Sequence, residues 1–296
     1  MLADRVYNKV SMRGFFAIIF IAILFLSVVT GHVIQNFFHN MEKKAVKSES
    51  ISLKFIPTST PTTTLSPTPS PSLSPSTNPA VILKKKLYTV AIFGDSMVDT
   101  MGENLEHLQK ALVNKYPKTT FKLYNYGIGG QNVEQGLARF ESSFVNRERN
   151  FPPIPTLNPD VLIIGSFAYN PFSTHDRNRH YSLLKELIAK TKSLSSRIYL
   201  LAEIAPLETG FGKGKNGVNM PEGTALEQAK HIIEQLDNVI NLSVAEKISL
   251  INVYYNSRID GAYGDPYLVN TDDGIHPSVA GHIFTAELTI DKIKFD

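Results

Sequence analysis

Ser96 closes a Gly94-Asp95-Ser96 step at the end of an apolar run, in the stretch LYTVAIFGDSMV at residues 87–98. A serine hydroxyl attacks a carbonyl only when a base takes its proton and a third group orients that base. Near the other end of the chain, Asp273-Gly274-Ile275-His276-Pro277 holds an imidazole with a carboxylate three residues before it. His276 is therefore the candidate base, and Asp273 the group that fixes its tautomer. Two further segments offer donors for a developing oxyanion. In Asn125-Tyr126-Gly127-Ile128-Gly129-Gly130, the glycines let the backbone turn sharply and present an N–H. In Gly165-Ser166-Phe167-Ala168-Tyr169-Asn170, Asn170 carries a side-chain amide. A donor of either kind contributes about 3 kcal/mol to a tetrahedral intermediate. The chemistry these residue types allow is acyl transfer through a serine.

Each piece has a plainer reading alone. Gly-Asp-Ser is a common turn, and DGIHP would serve as a helix-starting turn with a capping aspartate. The glycine cluster does not fit GxGxxG running into a helix, and no GKS or GKT phosphate loop is present, so nucleotide binding is set aside. Asp95 and Asp99 read as turn and loop stabilisers. Asp95, Phe167 and Tyr169 are also candidates to face substrate, and residues 206–222 form a Gly- and Lys-rich loop long enough to border the site. The histidines show no metal-site spacing, His282 reads as structural, and no metal or cofactor is expected.

For these segments to meet, the elements around them must end on one rim. Strand-like runs at 87–93, 120–125, 160–165, 197–203 and 248–253 alternate with helical patterns at 104–115, 133–140, 181–194, 224–241 and 278–292. The helical stripes include Leu105, Leu108 and Leu112, and Ala229, Ile232, Ile233, Leu236 and Ile240. Val/Ile-rich strands without alternation, separated by helices, predict an α/β fold. The expected form is a three-layer α/β/α sandwich around a central, mostly parallel five-stranded sheet of flavodoxin-like arrangement. Such sheets bind their ligands at the carboxyl ends of the strands, where all four segments fall.

The chain has 296 residues and no cysteine, which excludes disulfides, thiolate metal sites and a cysteine nucleophile. Its net charge of +3 is uneven. Residues 1–56 carry seven Lys/Arg against three acids, and the remainder 23 against 24, so the main domain has no basic face for nucleic acid. Residues 1–13 are short and basic. Residues 14–34 carry no formal charge and are long enough for roughly 30 Å of hydrocarbon. A retained single-pass anchor with the N-terminus inside is expected, the alternative being a cleaved signal peptide. A membrane-proximal segment at 35–56 leads into a stalk at 57–83. Its residues 57–79 hold seven prolines and thirteen Ser/Thr without a charge. That composition stays extended, reaching at most about 70 Å. The folded domain is expected over 84–296, outside the cytoplasm.

Gly-Asp-Ser near the domain start, NxGxxG after the second strand and DGIHP near the end together resemble the SGNH (GDSL-type) hydrolase family over roughly residues 87–292. The resemblance implies a serine esterase with Ser96 as nucleophile, Asp273 and His276 as acid and base, and Gly130 as a backbone oxyanion donor beside Ser96 and Asn170. The chain departs from the family's GxND pattern, because Phe167 stands two residues after Gly165 and Asn170 precedes Pro171. A two- to three-residue bulge, or a strand ending at Phe167, would still deliver Asn170. The implied substrate is a small acyl ester or an acylated glycan. Alternatives are a polysaccharide O-acyltransferase sharing the acyl-enzyme, and a stalked glycan-binding module without turnover.

Overall fold

In the computed structural model of the protein the described residues are 83–295. The expected segments at 1–13, 14–34 and 35–56, and nearly all of the stalk, lie outside them. Among the described residues no helix is long and apolar enough to cross a membrane.

Five parallel strands form the central sheet: β1 (Leu87–Gly94), β2 (Thr120–Gly127), β5 (Val161–Gly165), β6 (Arg197–Ala202) and β7 (Ser249–Asn252), in the order β2-β1-β5-β6-β7. Two antiparallel hairpins stand apart from it, β3 (Phe144–Asn146) with β4 (Arg149–Phe151) and β8 (Arg258–Asp260) with β9 (Tyr263–Gly264). The chain leaves β1 for one edge and then crosses back to β5 on its other side. The topological switch point, where doubly wound sheets open a ligand crevice, therefore lies between β1 and β5.

The reason for the parallel sheet is visible in β1. Val90, Ala91, Ile92 and Phe93 are all buried, so neither face meets water. Ile92 faces a small apolar space beside Leu105, Leu108 and Ala286, where α2 (Glu106–Lys115) packs on α8 (Val279–Lys292). Phe93 turns the other way, its ring 5.6 Å from Phe140 and 5.7 Å from Phe167. On that side α3 (Val133–Arg139), α5 (Arg177–Thr191) and α6 (Glu222–Ala245) pack together. Alternation along one strand thus builds the three layers. Four single-turn helices complete the fold: α1 (Ser96–Asp99), α4 (Ile154–Leu157), α7 (Val253–Asn256) and a 3-10 turn at Pro266–Leu268.

The five strands fall on the five expected runs. The helices differ at their ends. The α5 helix starts at Arg177 because the Asp176 side chain accepts from the Arg179 N–H, a cap ahead of the apolar stripe. The α6 helix runs on to Ala245 because Val239 and Leu242 continue its buried stripe. The hairpins were not expected, since three-residue strands carry no periodicity.

β1 and β2 run in register from Leu87 opposite Thr120 to Gly94 opposite Gly127, so both end at one level. Helix α1 lies directly over the end of β2. A Cβ added at Gly127 would stand 2.2 Å from the Asp99 backbone nitrogen. Gly127→Ala must displace α1, and the expected loss is about 1–3 kcal/mol of stability, the usual range for overpacking, seen as a lower urea midpoint.

His180 in α5 is buried with both ring nitrogens used. Nε2 donates to the Ser166 carbonyl at 2.9 Å, and Nδ1 accepts from the Asn238 amide at 3.2 Å. Burial pulls its pKa down to about 4, beyond what the Ser166 carbonyl restores, and nearby His175 adds to the fall. The unfolded state, with an ordinary histidine, binds the extra proton first as pH drops, so stability falls through the window from 6.5 to 4. From this group alone, a loss of about 2 kcal/mol between pH 8 and pH 5 is expected, and urea midpoints for the native chain and His180→Gln should converge at acid pH.

Candidate active site

Ser96 is the first residue of α1, placed where β1 ends. Asp95 makes the abrupt strand-to-helix step possible, since its Oδ1 accepts from the Met97 N–H at 3.0 Å and caps the helix. Ser96 is half-buried on the wall of a cleft of about 450 Å³. The loop after β2 runs beside it, with the Cβ direction of Gly129 3.8 Å from the Ser96 Cβ. Gly130 turns at φ +76°, a conformation that a side chain strains, and its Cβ direction opens onto space free for 4 Å.

The turn from Asn270 to Pro277 is rigid. The Asn270 N–H donates to the His276 carbonyl and the Gly274 N–H to the Asn270 carbonyl, each at 2.8 Å. Asp273 Oδ1 accepts from the backbone N–H groups of Ile275 and His276 at 2.8 and 2.9 Å. Its Oδ2 lies 2.8 Å from His276 Nδ1. Burial pushes the Asp273 carboxyl up, but the His276 ring and the two backbone donors outweigh it and hold the group below its ordinary value. With Nδ1 turned to a carboxylate, the imidazole presents its lone pair at Nε2. That atom is buried and has no hydrogen-bond partner among the described residues. His276 lines the same cleft as Ser96, Gly130 and Asn170.

Asn170 reaches this cleft by a loop, not by extension of β5. The strand stops at Gly165, and Phe167 takes a left-handed conformation at φ 57°. Ser166 Oγ accepts from the Ala168 N–H at 3.0 Å. Asn170 then donates through Nδ2 to Asp95 Oδ2 at 2.9 Å. One carboxylate therefore holds both the helix that starts at Ser96 and the Asn170 amide on the same cleft.

Two of the three residues expected to face substrate do not. Asp95 has no exposed surface, because both oxygens are spent on internal donors, and burial pushes its carboxyl up against the pull of Met97, Asn170 and His276. Phe167 is wholly buried between Phe93 and α3, where Gly136 leaves room for its ring. Tyr169 does line the cleft, with its hydroxyl donating inward to the Ile204 carbonyl at 2.7 Å. The 206–222 loop contributes Phe211, Val218 and Met220 to the wall and is pinned to the Asp273 turn, the Asn216 N–H donating to the Asp272 carbonyl at 2.7 Å. Asp99 ties the β3–β4 hairpin to α1 through Arg147 at 2.9 Å and Arg149 at 3.6 Å, which sets Arg147 on the rim. His282 sits outside the cleft, its ring stacked on His107, with burial lowering its pKa to about 4.

Two buried charged residues were not anticipated. Arg139 in α3 donates to the Gly94 carbonyl at 2.7 Å and to Gln131 at 2.6 Å, with its guanidinium 4.1 Å over the Phe93 ring. Burial lowers its pKa to about 9 against the opposing pull of Asp95 and Asp99. Glu203, just beyond β6, is 2% exposed and accepts from the Ser166 N–H at 3.0 Å. A glutamate inside the apolar run YLLAEIAP was the available signal.

A backbone likeness extends over this whole assembly. A GDSL-like lipase from Bacteroides thetaiotaomicron matches with 15% identity over 69% of this chain and 86% of its own, at TM-score 0.51. A lipase/acylhydrolase from Enterococcus faecalis matches with 16% identity over 70% and 95%, at TM-score 0.52. Identities this low speak to the fold alone. No curated protein sequence matches significantly. The profile described as GDSL-like Lipase/Acylhydrolase matches residues 90–289, a span running from within β1 into α8 and holding both the Ser96 step and the Asp273 turn. The chain therefore belongs to the GDSL-like lipase/acylhydrolase family and is an ester-hydrolysing enzyme.

Proposed function

We infer that the protein is a serine esterase that removes short acyl groups, working through Ser96, His276 and Asp273. The observation that carries this reading is the His276 ring, held by Asp273 at Nδ1 and left without a partner at Nε2 on the cleft that Ser96 lines. Nε2 accepts the Ser96 proton as Oγ adds to the ester carbonyl carbon. The charge that develops on the carbonyl oxygen is met by the N–H groups of Gly130 and Ser96 and by the second amide hydrogen of Asn170. The intermediate collapses by breaking the bond to the alcohol oxygen, which leaves with the proton from His276. Water then gives a proton to the same nitrogen, adds to the acyl-enzyme and releases the acid, and Ser96 regains its hydrogen.

The support for a short-acyl preference is the cleft, where Tyr169, Phe211 and Met220 line with Ser96 a space of about 450 Å³ shared by both halves of the ester. Acyl groups on envelope or extracellular polysaccharide are the proposed natural targets. The support is the N-terminal sequence: an uncharged span at 14–34 and a Pro/Ser/Thr stalk suit an enzyme held at a membrane and working at a distance outside the cytoplasm.

In the full-length chain, Ser96→Ala is expected to lower kcat on p-nitrophenyl acetate by about 10⁴-fold or more, with acetyl and butyryl esters preferred over long-chain ones in the parent. Undiminished turnover by the variant would refute the assignment. Protease added to intact cells should digest the 84–296 domain while sparing a tag placed before residue 14, and protection of the domain would reverse the topology.

A further inference from the structure

We propose that Glu203 is a positioning residue whose carboxyl fixes the 166–170 loop and thereby aims the Asn170 amide at the reacting oxygen. The proposal rests on the reading of Asn170 as an oxyanion donor.

Glu203 follows β6 at the sheet's carboxyl rim, two strands from β1, which leads into Ser96, and is almost fully buried. Both of its oxygens are given to one residue. Oε1 accepts from the Ser166 backbone N–H at 3.0 Å, and Oε2 accepts from the Ser166 hydroxyl. No cation pairs with it among the described salt bridges. A buried carboxyl without a counter-charge is costly, so its place calls for a reason beyond packing.

The reason lies in what Ser166 does next. Its Oγ accepts from the Ala168 N–H and closes the tight turn in which Phe167 is left-handed. The next residue after Glu203 grips the same loop again, the Ile204 carbonyl accepting from the Tyr169 hydroxyl at 2.7 Å. The loop is thus held from the segment just after β6 on both sides of Ala168, and the Asn170 amide bonds Asp95 at 2.9 Å on the cleft. Asp95 uses one amide hydrogen, which leaves the other for the cleft. This is how the chain places an asparagine five residues beyond Gly165. Burial, then the charge of Asp95, pushes the Glu203 carboxyl up to about 8, against the Ser166 donors, so a neutral amide is a close substitute for it.

The test is kinetic, on the full-length chain with p-nitrophenyl acetate. Glu203→Met removes both acceptors at similar volume. Its kcat is expected to fall by about 10²-fold, the cost of losing one oxyanion donor, with KM within a few-fold of the parent. Glu203→Gln keeps an acceptor for the Ser166 N–H and should restore most of kcat. Asn170→Ala should show the same loss, and adding Glu203→Met to it should change kcat by less than about threefold, because residues acting as one unit are not additive. Should Glu203→Met not fold, Ser166→Ala takes its place in the same cycle. A folded Glu203→Met with parental kcat, or a double variant that loses both factors in full, overturns the proposal. Parental kcat in Asn170→Ala removes the oxyanion reading itself, and the proposal with it.

Discussion

The Asp95 carboxylate is the point on which the rim is built. One oxygen holds the Met97 N–H and the other the Asn170 amide, so the start of α1 and the end of the 166–170 loop share a single anchor. A buried carboxylate holds such a position only when its lone pairs are met, because an unpaired charge there would cost several kcal/mol. The start of the Ser96 helix and the Asn170 amide are consequently tied through one side chain, and the loop that carries Asn170 is held a second time by Glu203 and Ile204. The in-register ends of β1 and β2 bring the glycine loop alongside, and the switch of strand order between β1 and β5 leaves the gap into which these groups face.

Charge in this region is arranged with little slack. Asp95, Asp99 and Glu203 are all buried, and Arg139 is the buried cation among the described residues that answers the first two. Its guanidinium also binds the Gly94 carbonyl, so the electrostatic partner of the acids is fastened to the strand that precedes Ser96. Glu203 lies outside this pairing, and the Asp95 charge pushes its carboxyl toward the neutral form.

Much of this was legible in residue order. The five strands stand out because their Val/Ile runs are buried on both faces, and the Ser96 step and the DGIHP turn, marked by residue type and spacing, do meet at one cleft. What was not legible depends on long-range contact. Asp95 and Phe167 look available in the sequence, and only packing shows that the first is consumed by internal donors and the second fills the space at Gly136. The path of Asn170 could be bounded but not drawn, since the left-handed Phe167 sits in a turn closed by Ser166, whose N–H is bound by a glutamate thirty-seven residues on. The short hairpins escaped for a similar reason. β3–β4 is held by Asp99 through Arg147 and Arg149, contacts with no local signature.

The direction of β1 has a practical consequence. The strand enters the domain at Leu87 and delivers the chain to Gly94, about 23 Å away at the usual rise per residue. Phe295, near the other terminus, packs beside Tyr88 and Phe121, ring centroids 4.8 and 5.2 Å apart, at the level where the strand begins. Both ends of the domain therefore leave from the floor of the sheet, the side opposite the cleft. An affinity handle, a fluorescent fusion or a solid support joined at either end would leave the mouth of the cleft unobstructed.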